Sequence, residues 1–231
     1  MREAIKQKNT KTRDYESESI ELYQMISQEF DYDHIRANSE LFSIKQYKDS
    51  MYRGELHEST LKRHGKGVIV YDNGRVYEGT WQADKRDGRG FELYVNGHTY
   101  TGEYKNGKAN GKGIYAWANG EVYEGEWSDG KKNGQGMWRG IHGDNYIGSW
   151  VDSRAEGYGV HVWIDGDRYE GEWKECLRHG NGTDFFSNED QYVGEYGNGK
   201  PEGEGLYKWA NGDTYQGEFK NSMKHGLGKW K

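Results

Sequence analysis

Apolar and polar residues alternate in short runs along most of this chain. In the run Tyr123-Glu-Gly-Glu-Trp127, the Tyr, the Gly and the Trp occupy every second position, so on a β-strand all three would face one side. A second alternating run, residues 113–117, precedes the dipeptide Asn119-Gly120. Asn-Gly between two alternating runs is the strongest short signal for a β-hairpin, because both turn positions favour positive φ. The pattern therefore predicts a hairpin between the second strand of one unit and the first strand of the next.

This pattern recurs every 23 residues and defines eight units, the first of which is longer. Each unit starts at a tyrosine: Tyr52, Tyr77, Tyr100, Tyr123, Tyr146, Tyr169, Tyr192 and Tyr215. A Gly follows two residues later, and its missing side chain would let an aromatic ring of a neighbouring unit lie against the backbone. A lone hairpin is not stable in water, so the units are expected to stack. The predicted fold is all-β: an elongated, single-layer antiparallel β-solenoid over residues 52–231, roughly 75 Å long at about 4.8 Å per strand.

The repeated string has a close counterpart in a known family. The segment from Tyr123 to Gly136, read as Tyr-Glu-Gly-Glu-Trp-Ser-Asp-Gly-Lys-Lys-Asn-Gly-Gln-Gly, resembles the MORN (membrane occupation and recognition nexus) repeat, and the resemblance covers residues 52–231. It implies a twisted, grooved single sheet with no catalytic activity of its own. Local departures are Leu56 in place of the aromatic residue, Trp138 as a shifted ring, and residues 188–190 in place of the Asn-Gly turn.

Residues 1–51 precede the repeats and have a different pattern. Residues 1–13 form a basic arm with five Lys and Arg residues against one Glu. Apolar residues at helical spacing, Leu22, Met25, Ile26 and Phe30, predict a short amphipathic α-helical segment over residues 17–30. Two roles remain open for this helix: it covers the first hairpins of the sheet, or it docks onto a partner.

Composition and charge narrow the classes of function. The 35 Gly residues against a single Pro exclude collagen-like and polyproline structure, and 19 Tyr, 9 Trp and 6 Phe indicate that rings supply the buried area. A net charge of −6 argues against nucleic-acid binding, which requires neutralisation of phosphates. The lone Cys176, the lack of an apolar leader and the lack of a long apolar run predict a soluble protein of a reducing, intracellular compartment.

No set of residues predicts catalysis. Residues 102–108 fit the first seven positions of a phosphate-binding loop, but Ala109 stands where Ser or Thr would hold magnesium. His64, His179 and His225 precede Gly at equivalent positions of different units, so they are repeat residues rather than a ligand cluster. We therefore expect no catalytic residue, no metal and no cofactor.

Two surfaces are candidates for binding a partner. The first is a groove on the aromatic side of the sheet, lined by Trp81, Trp117, Trp127, Trp163, Trp173 and Trp209. The second is a basic rail along one edge, formed by Lys85, Arg86, Lys108, Lys131, Lys132, Arg154, Arg178, Lys200 and Lys224. Each has a structural alternative: the rings only hold the stack together, and the charges only keep the rim solvated.

These features favour a non-catalytic scaffold that binds other proteins of a large cytoskeletal assembly, with a helix or an extended segment of the partner in the groove. Resemblance to MORN proteins of the radial spoke head implies a place in the axoneme of a cilium or flagellum. Open sheet edges would also allow homo-oligomers. The alternative is a peripheral membrane module in which the rail and the basic arm bind anionic phospholipid headgroups, although the net negative repeats argue against it.

Overall fold

The structure is a computed structural model that describes residues 42–231. These residues form β-strands and turns, and no helix occurs among them. The chain divides into two compact units at Gly107/Lys108, and each unit is one antiparallel sheet in which every strand pairs with its neighbour in sequence. The predicted all-β antiparallel fold is therefore confirmed, while the helix predicted over residues 17–30 lies outside the described residues.

The first unit, as described from residue 42 to 107, contains six strands. They are β1 (Ser43–Gln46), β2 (Ser50–Leu56), β3 (Arg63–Tyr71), β4 (Val76–Gln82), β5 (Lys85–Leu93) and β6 (Thr99–Lys105). Strand β1 pairs with β2 ahead of the first predicted repeat, with Ser43 opposite Gly54. The sequence pattern did not predict this strand, because its four residues carry no repeat signature.

The second unit, residues 108–231, contains eleven strands. They are β7 (Lys108–Ala116), β8 (Val122–Ser128), β9 (Lys131–Arg139), β10 (Asn145–Val151), β11 (Arg154–Val162), β12 (Arg168–Lys174), β13 (Leu177–Phe185), β14 (Gln191–Gly197), β15 (Lys200–Lys208), β16 (Thr214–Lys220) and β17 (Met223–Trp230). One side of this sheet, here the aromatic face, carries the buried tyrosines. The opposite face carries exposed residues such as Ile147 and Tyr158.

Two kinds of turn alternate along the chain. At the Asn-Gly turns only the second residue has a positive φ, as at Gly120 (99°), and the Asn119 side chain accepts a hydrogen bond from the backbone N–H of Glu121 (3.1 Å). This geometry corrects the expected turn with two positive φ angles. The turns that do have two are on the other edge, for example Asp152 (49°) and Ser153 (68°), where a two-residue loop matches the twist of the strands.

The predicted departure at residues 188–190 is a change of sequence and not of conformation. Glu189 adopts a φ of 70° where the other turns have Gly, and Asn188 Oδ1 accepts the N–H of Asp190 at 3.0 Å, as Asn119 does for Glu121. The left-handed conformation costs a residue with a side chain about 1–2 kcal/mol. The side-chain hydrogen bond at the preceding Asn is therefore what keeps this turn in the same form.

Candidate functional site

The repeat is built around one tyrosine that folds back along its own strand. Tyr123 is fully buried, and its ring lies over Gly125 and over Gly136 on the next strand. Its hydroxyl donates a hydrogen bond to the backbone carbonyl of Glu126 at 3.0 Å. The same bond, three residues ahead, recurs in all eight repeats at 2.8–3.3 Å. The ring over the glycine thus belongs to the same repeat, and the expectation of a ring from a neighbouring unit was wrong.

The second buried ring of each repeat joins it to the one before. In the second unit, Trp150 packs edge to face on Tyr146 of its own repeat (5.1 Å between centroids) and on Tyr123 of the preceding repeat (5.2 Å). Trp173 makes the same two contacts with Tyr169 and Tyr146. Such contacts contribute about 0.5–1.5 kcal/mol each beyond area burial. Burial raises the pKa of these tyrosines well above its usual range, so the hydroxyls stay protonated donors.

Three of the six tryptophans predicted to line a groove belong to this packing. Trp81, Trp127 and Trp173 each donate their indole N–H to a backbone carbonyl fourteen residues earlier, at 3.1 Å. Trp81 and Trp173 are only 5% and 7% exposed. Their side chains therefore fasten adjacent strands, and little of either ring is left for a partner to contact.

The other three predicted groove residues are less buried than Trp81 and Trp173, and Trp127 shares their half-buried state. Trp117, Trp163 and Trp209 are half-buried on the aromatic face of the second unit, each just before a turn. They are 46 residues apart, so they occur in every second repeat. The intervening repeats have Gly140 and Phe186 at this position. These three rings form a row of their own. The sequence alone grouped them with Trp81, Trp127 and Trp173, because both sets alternate with polar residues in the same way.

Two further side chains that the sequence-based groove omitted lie beside this row on the same face. Trp138 is half-buried and donates its indole N–H to the Glu121 carboxylate at 3.3 Å. His161 stacks on Trp163 with 4.4 Å between centroids, and its Nε2 has no hydrogen-bond partner. Burial lowers the pKa of His161. Alignment of the repeats would have found both, since they lie two residues before the position of Trp163.

The predicted basic rail divides into two rows, because consecutive residues of a strand face opposite sides. The first position of the strand carries exposed cations at the edge: Lys85, Lys108, Lys131, Arg154 and Lys200. In the second unit three of them pair with an acid 21 residues later: Lys108 with Asp129 (2.6 Å), Lys131 with Asp152 (2.9 Å) and Arg154 with Glu175 (2.8 Å). Much of the positive charge of this edge is therefore balanced within the chain.

The second position places its cations against the aromatic face. This row consists of Arg86 in the first unit and Lys132, Arg178 and Lys224 in the second. The Lys132 ammonium lies 4.1 Å from the Trp150 ring centroid, and Lys224 lies 4.2 Å from that of Trp209. The prediction of one continuous rail is thus corrected: these cations lie between rings and not along the rim.

A buried carboxylate accompanies each arginine of this row. In the second unit, Asp184 is 4% exposed and pairs with Arg178 at 2.7 Å, while the Tyr196 hydroxyl donates to it at 2.7 Å. Burial raises the pKa of Asp184, although Arg178 and Tyr196 act to lower it. In the first unit, Glu92 takes the same place. An acid at an aromatic position of the repeat, followed twelve residues later by Tyr in place of Trp, is the sequence signal for this arrangement.

Among residues 42–231, no group of three or more His, Cys, Asp or Glu side chains is placed to hold a metal ion. Nor does this range contain a helix with the length and apolar character needed to cross a membrane.

These features define the class of protein: a tandem-repeat protein in which each repeat is a β-hairpin fastened to the next by rings. A family model for the MORN repeat matches eight segments, residues 62–74, 77–99, 100–122, 123–141, 146–168, 169–184, 192–214 and 215–231. The chain belongs to the MORN repeat family. From Tyr77 onwards every match starts at a predicted repeat tyrosine.

Solved structures with a similar fold share little sequence with the chain. The TCP10 domain of Danio rerio CPAP is 11% identical, with a TM-score of 0.43 over 76% of this chain and 83% of that one. The TCP domain of Drosophila melanogaster SAS-4, solved with a proline-rich motif of Ana2, is 12% identical, with a TM-score of 0.42 over 78% and 90%. Both TM-scores are below 0.5. No curated protein matches the chain significantly.

Proposed function

We propose that this protein is a non-catalytic scaffold that binds other proteins along the aromatic face of residues 108–231. The observation that carries the proposal is the row of half-buried rings at Trp117, Trp163 and Trp209, which the repeat packing does not fully cover. Rigid, partly exposed tryptophans are the residues that most often dominate the energy of protein interfaces. A helix or an extended segment of a partner lying across the strands would contact several of them.

The distribution of charge supports a protein partner over a membrane. A bilayer surface would approach the exposed edge cations, and Lys108, Lys131 and Arg154 already pair with carboxylates. An anionic lipid would have to displace those acids, and the chain as a whole is negatively charged. Lys132 and Lys224 lie among rings, where a side chain reaches more easily than a flat membrane.

We place the scaffold in a cytoskeletal assembly of the cytoplasm, such as the axoneme of a cilium or flagellum. This placement is an analogy within the MORN repeat family, to which proteins of the radial spoke head also belong.

The test is capture of partners from a ciliated-cell lysate by the full chain and by two variants. Trp163→Ala removes one ring from the proposed row. Tyr158→Ala removes an exposed ring (61% exposed) from the opposite face of β11, the strand that ends directly before Trp163, and is the matched control. We expect axonemal proteins to be captured by the full chain and by Tyr158→Ala, and to be lost with Trp163→Ala.

Two results would contradict the proposal. Equal capture by both variants would show that the ring row does not bind the partner. Flotation of the full chain with phosphatidylserine vesicles, lost at high salt and without any captured protein, would favour the membrane alternative.

A further inference from the structure

Cations occur in every second repeat on the aromatic face of the second unit. The second residue of each long strand is, in order, Ala109, Lys132, Ala155, Arg178, Pro201 and Lys224. The cations therefore have the same 46-residue spacing as Trp117, Trp163 and Trp209, and each lies within 6 Å of one of these rings. A tryptophan and a cation thus form a pair that recurs three times along the face.

The three pairs differ in how the positive charge is compensated. Arg178 has Asp184 six residues later, and two oxygens of that carboxylate accept its hydrogen bonds at 2.7 and 2.9 Å. The residue six positions after Lys132 is Trp138, and after Lys224 it is Trp230. Among residues 42–231, neither lysine forms an ion pair within 4 Å. The Glu121 carboxylate, which acts electrostatically on Lys132, hydrogen bonds to Trp138 instead.

Aromatic rings replace the missing carboxylate around Lys132. Its ammonium lies 4.1 Å from the ring centroid of Trp150, 5.3 Å from that of Tyr123 and 5.6 Å from that of Trp117. Ring faces attract the charge, but they do not accept the ammonium's N–H groups as a carboxylate does. Burial among the rings lowers the pKa of Lys132, which shows that its charge is disfavoured there. An incoming anion would relieve this cost.

Lys224 also lies among rings, but its strand β17 is exposed along its whole length and Trp230 is 63% exposed. Its ammonium lies 4.2 Å from the centroid of Trp209, 4.3 Å from that of Trp230 and 5.4 Å from that of Tyr215. Lys132 and Lys224 are eight strands apart, or about 38 Å measured along the sheet at ~4.8 Å per strand. A partner helix would need about 25 residues to reach both, at about 1.5 Å per residue.

We infer that the partner segment bound on this face is acidic, and that its carboxylates hydrogen bond to Lys132 and Lys224 between the rings. This inference rests on the proposed function and adds the chemistry of the partner. The apolar side chains of the segment contact Trp117, Trp163 and Trp209. Its carboxylates accept hydrogen bonds from the two lysines and compensate their charge, as the Asp184 carboxylate does for Arg178.

The test uses the full chain and three labelled amphipathic helical peptides of about 28 residues, long enough to reach both lysines. The peptides are identical except that their polar positions are Glu, Gln or Lys, and affinity is measured by fluorescence anisotropy. We expect the Glu peptide to bind at least about tenfold more tightly than the Gln peptide, since the carboxylates add charge-assisted hydrogen bonds.

Two methionine variants test whether Lys132 is responsible for the preference. Lys132→Met keeps the contact with the rings and removes the charge, so it is expected to weaken the Glu peptide about tenfold and to leave the Gln peptide unchanged. Lys131→Met removes an equal charge from the neighbouring residue, which pairs with Asp152 at the edge, and is expected to change neither. Circular dichroism checks that both variants fold.

The outcomes separate this inference from the proposed function. Equal binding of the Glu and Gln peptides, with both weakened by Trp163→Ala, would overturn the acidic partner and retain the ring row as a protein-binding surface. No binding of the Glu peptide, or equal effects of Lys131→Met and Lys132→Met, would also overturn the inference. Binding of phosphatidylcholine–phosphatidylserine vesicles that is lost in Lys132→Met would assign the lysine to lipid, against both proposals.

Discussion

The tightest contact of the repeat gives the sharpest prediction for stability. A Cβ at Gly136 would lie 2.4 Å from the Tyr123 hydroxyl oxygen and 2.6 Å from Cζ of its ring. A Cβ at Gly130 would have no atom within 4 Å, although the φ of 84° there disfavours a side chain. Gly136→Ala and Gly130→Ala are therefore the same substitution on the same hairpin, one with a steric cost and the other with a backbone cost only.

The steric cost follows from the position of the ring. An ordinary contact between carbon atoms is about 3.5 Å, so Tyr123 would have to move by about 1 Å. Overpacking of this kind costs about 1–3 kcal/mol, and complete loss of a buried ring about 3–5 kcal/mol. The hydrogen bond of Tyr123 to the Glu126 carbonyl contributes about 1 kcal/mol, and it would be lost whether the ring shifts or leaves its site. We expect Gly136→Ala to lower the free energy of unfolding by about 3 kcal/mol, against about 1 kcal/mol for Gly130→Ala.

The assay is urea denaturation of the full chain, monitored by tryptophan fluorescence. Trp150 contacts Tyr123, so its fluorescence reports on this site. Repeat proteins need not unfold in one step, so hydrogen exchange at the amides of β8 and β9 should locate the loss. Equal losses for the two variants, or a larger loss for Gly130→Ala, would refute the view that the glycine exists to admit the tyrosine ring.

Three further predictions concern buried and strained groups. Tyr196→Phe removes a donor from buried Asp184 and should lower the free energy of unfolding by about 1–2 kcal/mol in urea denaturation; an unchanged midpoint would contradict this. Because burial lowers the pKa of His161, its neutral form stabilises the fold above about pH 6.5, and this stability is lost as the pH falls through the lowered value. The melting temperature should therefore fall between pH 7.5 and pH 5, and His161→Phe should reduce the fall while His142→Phe, in an exposed turn, should not. Ser222→Gly relieves a φ of 67° and should raise the free energy of unfolding by about 0.5 kcal/mol, and with it the melting temperature. A lower melting temperature would argue against strain at this turn.

The period and type of the repeat could be predicted from sequence because they depend on local rules. Alternation fixes which side chains share a face, and Asn-Gly fixes where the chain turns. The identity of the ring over each glycine could not be predicted, since alternation places Tyr123, Gly125 and Trp127 on one side without giving the direction in which the tyrosine leans. That direction depends on the register across β8 and β9, which sets Gly125 opposite Gly136.

The candidate site was predicted only in part, for similar reasons. The six tryptophans were recognised as one set, but burial separates Trp81 and Trp173 from Trp163. The basic rail could have been divided from sequence alone, because Lys131 and Lys132 are adjacent and must face opposite sides of a strand. The Arg178–Asp184 pair depends on a contact between two residues six positions apart on the same strand, β13, which a search for local motifs does not examine.

The doubled spacing of the tryptophan–cation pairs has a consequence for changes in chain length. Bonds between adjacent turns connect residues 21 positions apart, as from Ser153 N–H to the Lys132 carbonyl, so insertion or deletion of one 23-residue repeat leaves this backbone pattern intact. The same change shifts the alternation of cation and small residue by one repeat. After the changed point, a small residue then lies where a cation lay before, and a cation lies where a small residue lay. A change of two repeats preserves both patterns. A partner that contacts Lys132 and Lys224 together would therefore still meet a cation at each contact only if repeats are gained or lost in pairs, and such a change between the two lysines also alters their separation by about 19 Å at ~4.8 Å per strand.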